Sequence, residues 1–381
     1  MANLSPVPSV TLVDLGRERL RSLCRAFEFS QNDERVAAGI FRELAASWGA
    51  RSAQRPSPWP SDITDDHTPF EFSLAIDGAE RELRFLIEVQ GEVPSVESNW
   101  EASLAMNEQI AARYGAHLGR FAEVQDLFAP TSDCHRFSLW HAVCLRPDTA
   151  PDFKVYLNPQ ARGRNEARNV VVEAMTRLGF GAATAHVPEI GPLDEICYFS
   201  LDLSAKREAR VKVYTAHHHA DVARIDAAVR TARGYVPGRA QEFCEAMGNS
   251  PGPYDARPVL TCLSFIQRSE APMTGTVHFP VRSYAHDDRV ARDRVLQYLS
   301  PESAMIYGRA IEEFTDRRLE DGVGMQTYAS LRIDGDRKRV TVYLAPEVYD
   351  VGQTAMTLPT ASGVLTRAHA RRSWRPVATG S

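Results

Sequence analysis

The sequence predicts an α+β fold of ten antiparallel strands, arranged as five hairpins with helices between them. Three observations lead there. Strand-like runs come in pairs, several of them joined by turn-forming residues. The text between the pairs has the apolar spacing of helices. One strand motif returns at intervals of about 60 residues.

Taken in order, residues 12–50 read as two helices. The first hairpin pairs 69–77 with 82–90 across "IDGAE", and "NWEASLAMNEQIAARYGAHLG" follows as a helix. The second pairs 136–145 with 152–158 across "RPDTAPD", and "ARNVVVEAMTRLGFG" is helical. The third pairs 195–203 with 209–215, followed by helical "HADVARIDAAVRTARG". The fourth pairs 258–266 with 274–282, and "DDRVARDRVLQYLSPESAMIYGRAIEEF" reads as helix. The fifth pairs 325–332 with 338–345 across "IDGDRK". Residues 1–350 therefore form a single domain of five helix-helix-strand-strand units. Residues 351–381, rich in Thr, Ala, Ser, Gly and Arg, read as a disordered C-terminal tail.

The recurring motif carries the chemistry. In "RVKVY" (210–214), Arg210, Lys212 and Tyr214 share one strand face and two valines the other. "FKVYLNP" (153–159), "TVHFPVR" (276–282) and "RVTVYLAP" (339–346) repeat the alternation, and "LRFLIEVQ" (83–90) is a weaker copy. Tyr156, Tyr214, His278 and Tyr343 are spaced by 58, 64 and 65 residues. In "PFEFSLAI", Phe70, Phe72, Leu74 and Ile76 lie on one face, with Glu71 on the other. Two arrangements satisfy this pattern: an open sheet with its polar face in water, or a barrel closed on a polar lumen. Ten strands would leave a cavity in such a barrel, since about eight give an interior that side chains just fill.

Composition bounds the function. The chain has 381 residues, 44% hydrophobic and 24% charged, with a net charge of −5. That is a globular composition with an acidic balance, which argues against a general nucleic-acid or membrane-surface binder. Any polyanion site must be a local cluster of cations. Six scattered cysteines without a CxxC pair read as reduced core thiols. "MANLSPVPSV" lacks the features of a secretory signal, and no run approaches a membrane span, so a cytoplasmic protein is expected.

Together, "HTPFEFS", "FKVYLNP", "RVKVY" and "RVTVYLAP" resemble the aromatic prenyltransferases of the dimethylallyltryptophan synthase type, the bacterial indole enzymes most closely. The resemblance runs over about Leu12 to Asp350. It implies the ABBA or PT barrel: five ααββ repeats forming a ten-stranded antiparallel β-barrel with a solvent-filled core inside a ring of α-helices. It also implies transfer of a dimethylallyl group from its diphosphate to the indole ring of tryptophan or a tryptophan derivative. By match to the family, Glu71 is the base that receives the indole N–H, and Arg84, Lys154, Arg210 and Lys212 hold the diphosphate. Tyr156, Tyr214 and Tyr343 shield the allyl cation, where a cation over a ring gains about 0.5–2 kcal/mol. The fourth barrel position departs from the pattern: Thr276 and His278 stand where family members place Gln and Tyr. His278 and Arg282 are added to the phosphate-binding set, and Tyr284 to the shield. His141, beside Lys154, is a candidate second proton acceptor. Glu71 is expected to stay ionised opposite the cations, with burial pulling the other way.

No metal or other cofactor is expected. "HHHAD" (217–221) and "AHDD" (285–288) read as helix starts, and "DDRVARD" is not the DDxxD of the chain-elongating prenyl synthases. The expected partners are the two small-molecule substrates, with no nucleic acid and no membrane, in a monomer or homodimer. Two other readings stay open: a non-indole aromatic acceptor such as a phenol, naphthol or phenazine, or a barrel that only binds an anionic or aromatic ligand. Glu71 speaks against the second, because a polyanion pocket gains nothing from a carboxylate.

Overall fold

A computed structural model describes residues 10–77, 80–131 and 137–349. Cys134 and the segment 351–381 lie outside the described residues. The chain begins with helices α1 (Leu12–Ala26) and α2 (Gln31–Leu44) and strands β1 (Phe70–Asp77) and β2 (Glu80–Ile87). Then come α3 (Val96–Tyr114), α4 (Gly119–Ala122), α5 (Gln125–Phe128), β3 (Leu139–Leu145) and β4 (Asp152–Leu157). Helix α6 (Ala167–Arg177) and a 3₁₀ turn (Gly181–His186) precede β5 (Asp194–Asp202) and β6 (Val211–His217). Helices α7 (Val222–Val229) and α8 (Arg239–Gly248) lead to β7 (Val259–Phe265) and β8 (Thr274–Phe279). The last unit is α9 (Asp288–Leu296), α10 (Pro301–Phe314), β9 (Gln326–Asp334) and β10 (Arg337–Leu344).

The ten strands pair antiparallel with their sequence neighbours, and β1 closes the ring by pairing with β10. Of the two arrangements left open by the pattern, the barrel is the one formed. Alternation then decides every side chain's direction. Phe70, Phe72, Leu74 and Ile76 point outward to the helices, while Glu71 and Ser73 point into the lumen, where Ser73 sits between Arg84 of β2 and Tyr343 of β10.

The hydrophobic core is the annulus between barrel and helices. Phe41 of α2 meets Phe70 edge-on at 5.1 Å, Trp48 stacks on Phe70 at 5.7 Å, and Phe314 of α10 meets Phe72 at 5.8 Å. All are buried, each ring contributing about 1.5–3 kcal/mol. Gly16 of α1 lets α2 approach: a Cβ there would stand 2.3 Å from the Phe41 ring.

Helix boundaries follow local chemistry. Asp221 caps α7 by accepting the Arg224 N–H at 2.9 Å, so "HHHAD" ends a strand and starts a helix. Asp287 caps α9 through the Val290 N–H at 2.8 Å. The long run 287–314 divides in two, because Ser300 caps a new helix with Pro301 in its first turn. Helix α8 and the breaks after α3 are features that the apolar spacing alone did not separate.

Candidate active site

Lumen-facing side chains form successive zones along the barrel axis. The first is cationic. Arg84, Lys154 and Lys212 come from β2, β4 and β6, Arg210 from the residue before β6, and Arg332 and Arg339 from β9 and β10. Two carboxylates, Glu82 buried and Asp202 half-buried, hold four of them in place. Glu82 pairs with Arg84, lies 2.6 Å from Arg146 and 3.4 Å from Arg339. Asp202 lies 2.9 Å from Arg210 and 3.7 Å from Lys154. Burial alone would raise both carboxyls, but the surrounding cations outweigh it and hold both far below the usual range. Lys212 pairs with no carboxylate among the described residues. Burial, then Arg210 and Lys154, pull its ammonium down to about 7. Five of the cations and the hydroxyls of Ser264, Thr276, Ser330 and Thr341 line a chamber of about 480 Å³.

The second zone is a ring of four aromatic side chains from the even-numbered strands: Tyr156, Tyr214, His278 and Tyr343. Neighbouring centroids are 5.7, 5.6 and 5.7 Å apart. All four line the cationic chamber and also a second chamber beyond it. Burial pushes the Tyr156 phenol up to about 12, and raises Tyr214 and Tyr343 further, so all three stay protonated. Burial, helped by Lys212 and Arg84, drops His278 to about 3, leaving it a neutral imidazole.

The second chamber encloses about 750 Å³ including its mouth. Its walls are Trp140 of β3, Tyr198 of β5 and Tyr328 of β9, with Glu71 of β1 in the wall and Asp65 and Arg257 at the mouth. Asp65 lies 2.7 Å from both Arg257 and Arg282. Burial would raise its carboxyl, but the two guanidinium groups pull it down. Arg257 also stands 5.4 Å over the Tyr328 ring. Glu71 differs from expectation. Burial, with Asp65, lifts its carboxyl to about 8 against the opposing pull of Arg257 and Thr327, because the cation wall lies on the far side of the aromatic ring.

The structure brings together Glu71, Arg84, Lys154, Arg210, Lys212, Tyr156, Tyr214, His278 and Tyr343 around one lumen. Three candidates fall elsewhere. His141 alternates with Trp140 and so faces outward, where its Nε2 meets Asn107 of α3 at 3.0 Å and burial drops it to about 3. It has no access to either chamber. Strand β8 ends at Phe279, so the alternation stops before Arg282 and Tyr284. Arg282 pairs with Asp65 at the mouth, beside Arg257 and away from Arg84, Lys154, Arg210 and Lys212. Tyr284 packs against Tyr254 and Phe279, and its hydroxyl donates to the Arg257 carbonyl at 3.0 Å.

Sequence reasoning missed Trp140, Tyr198 and Tyr328, which the same alternation on the odd-numbered strands would have found. It noted Arg339 on the face of Tyr343 without assigning it. Arg257 and Asp65 lie on connections with no period to read.

Comparison with known proteins follows this geometry. The family model for tryptophan dimethylallyltransferase matches residues 17–301. The 6-dimethylallyltryptophan synthase of Micromonospora olivasterospora, solved with DMASPP and Trp, is 34% identical with a TM-score of 0.84, over 91% of this chain and 99% of that one. The 5-dimethylallyltryptophan synthase of Streptomyces coelicolor is 32% identical with a TM-score of 0.84, over 90% and 99%. Prenyltransferase PriB, solved with L-tryptophan and dimethylallyl thiolodiphosphate, is 33% identical with a TM-score of 0.83, over 89% and 97%. AnaPT from Neosartorya fischeri, at 14% identity and a TM-score of 0.74, shares the fold. The chain belongs to the tryptophan dimethylallyltransferase family, the aromatic prenyltransferases built on the PT barrel.

Proposed function

We propose that this protein transfers a dimethylallyl group from dimethylallyl diphosphate to the indole ring of free L-tryptophan without a metal ion. One observation carries the reading: a wall of cations and a buried carboxylate stand on opposite sides of a single aromatic ring. Transfer needs that polarity. The donor's C–O bond breaks to give diphosphate and an allyl cation, so one chamber must hold the polyanion and the other the nucleophile.

Arg84, Lys154, Arg210 and Lys212 receive the diphosphate through charge-assisted hydrogen bonds, the strong class, and supply the neutralisation a divalent ion would otherwise give. Among the described residues no group of three or more His, Cys, Asp or Glu is placed to hold a metal ion. Tyr156, Tyr214 and Tyr343 present ring faces to the allyl cation. His278 closes the ring as a neutral donor to phosphate oxygen. Glu71 accepts the indole N–H, which raises electron density in the ring that attacks the cation.

Arg257 and Asp65 support free tryptophan as the acceptor. Both residues stand at the mouth of the chamber that would hold the indole. They offer opposite charges to the carboxylate and ammonium of an amino acid. The relatives solved with tryptophan and a donor analogue point the same way.

The test is turnover of dimethylallyl diphosphate with L-tryptophan in EDTA, with the product identified by NMR. A single prenylated tryptophan at undiminished rate is expected. Product formed only from phenols or naphthols, or tight diphosphate binding with no transfer, overturns the reading.

A further inference from the structure

Glu88 is a buried carboxylate that plays no part in the chemistry above, and its contacts are unusual. It follows β2 and is 1% exposed. Its Oε2 accepts the indole N–H of Trp59 at 2.8 Å, and its Oε1 accepts that of Trp140 at 3.4 Å. Its own backbone carbonyl accepts a third indole N–H, from Trp48, at 2.9 Å. The Glu88 N–H donates to the Pro69 carbonyl at 2.9 Å, fixing the residue beside the start of β1.

The two side-chain partners belong to different walls of the same chamber. Trp140 forms the β3 wall, stacked on Phe137 at 4.0 Å and tilted against Tyr198 at 5.4 Å. Trp59 opens the irregular segment 59–68, which passes over the mouth and contributes Ile63, Thr64 and Asp65 to the lining. That segment is tied down further along: the Thr64 hydroxyl donates to Asp66 at 2.6 Å, and Asp66 accepts the Tyr349 N–H at 2.9 Å.

We infer that Glu88 is a positioning residue for the acceptor: one carboxyl group, bridging two indole N–H groups, sets the distance between the Trp140 wall and the mouth segment and so fixes how the acceptor ring tilts over the allyl cation. The Glu88 oxygens accept from the two indoles, and a carboxylate has only acceptors to offer. An amide in the same place would turn an N–H₂ towards one of the two indole N–H groups, releasing either the wall or the segment. Buried networks of this kind fix one geometry only when every member is satisfied. Glu88 lines neither chamber and lies away from the cations, so the donor should not sense it. Burial raises its carboxyl to about 7 against the hydrogen bonds from Ser61, Trp59 and Trp140, so the carboxylate form that accepts from both indoles predominates above neutral pH.

The inference rests on the transfer reading and deepens it. The test compares wild type, Glu88→Gln and Trp59→Phe. Three quantities are read: KM for L-tryptophan, the ratio of prenylated regioisomers by NMR, and the Kd of dimethylallyl thiolodiphosphate by calorimetry. Glu88→Gln should raise the acceptor KM about ten-fold, the loss of one charge-assisted hydrogen bond. It should also spread the product over more than one ring position, with donor Kd within about two-fold of wild type. Trp59→Phe, half-buried and outside both chambers, should move the same two readouts in the same direction by less, and decides the question if the Gln variant does not fold. Unchanged KM and regioisomer ratio, or parallel loss of donor and acceptor binding, overturns the role of Glu88. A wild-type protein that makes no product overturns the transfer reading and this inference with it.

Discussion

The phenol oxygens of Tyr156 and Tyr214, 58 residues apart in the chain, come within 3.4 Å of each other inside the barrel. With His278 and Tyr343 they form the ring between the cationic chamber and the chamber that holds Glu71. The proposed shielding role predicts a defined failure when that ring is opened. Tyr156→Ala should divert the allyl cation to water, so that dimethylallyl alcohol accumulates at the expense of prenylated tryptophan. Tyr156→Phe keeps the ring face and should preserve the partition while raising the donor KM a few-fold. Equal alcohol release in wild type and Tyr156→Ala would remove the shielding role.

Glu71 sits at about 8 because burial outweighs its favourable neighbours. A base acts in its ionised form, and a raised carboxyl ionises only as pH climbs through its shifted value. The rate should therefore increase from pH 6 to about 9 and level off above it. Glu71→Gln should lower kcat about 10²–10⁴-fold, leave the acceptor KM within a few-fold, and abolish that rise. A flat pH profile in wild type, or an unchanged kcat in the variant, counts against Glu71 as the proton acceptor.

Lys212 pairs with no carboxylate among the described residues and is lowered to about 7 by burial and by Arg210 and Lys154. Diphosphate brings negative charge to it and should restore its proton. At pH 8 the empty barrel holds Lys212 mostly neutral, so donor binding should take up close to one proton, fading below about pH 6 where Lys212 is already charged. Calorimetry in buffers of different ionisation enthalpy measures this. Lys212→Met should lose the uptake and raise the donor Kd about ten-fold or more, the cost of one charge-assisted contact.

Arg257 and Asp65 are assigned to the amino-acid head group, and this predicts discrimination rather than catalysis. Arg257→Ala should raise KM for tryptophan about ten- to hundred-fold while leaving an indole without the carboxylate little affected. Asp65→Asn should likewise raise KM for tryptophan, since it removes the carboxylate facing the ammonium and leaves Arg257 and Arg282 without their shared partner. Parallel losses for both acceptors would place these residues in maintaining the mouth instead.

The fold was legible because its pattern is strict. Cation-then-aromatic alternation at Lys154 and Tyr156, and at Lys212 and Tyr214, marks both the strand and the face that turns inward. The same strictness locates the failures. His141 was chosen for its neighbour along the sheet, but its neighbours across the alternation, Trp140 and Ala142, are the ones that face the lumen. Arg282 and Tyr284 extended a strand rule three and five residues past the end of the strand at Phe279. The ionisation of Glu71 depends on distances through the lumen, and the positions of Asp65 and Arg257 on tertiary closure, neither of which a one-dimensional pattern encodes.

Pairing between β1 and β10 has a cost during synthesis. Strand β1 emerges from the ribosome some 260 residues before its second partner, and until β10 arrives each growing sheet ends in a strand with unsatisfied backbone groups. Ring closure joins the two most distant strands in the chain, so it closes the longest loop in the sheet and cannot form before β10 is made. Nascent chains stalled before Leu344 should be protease-sensitive and prone to edge-to-edge association, and should need a chaperone's cover until the final hairpin docks.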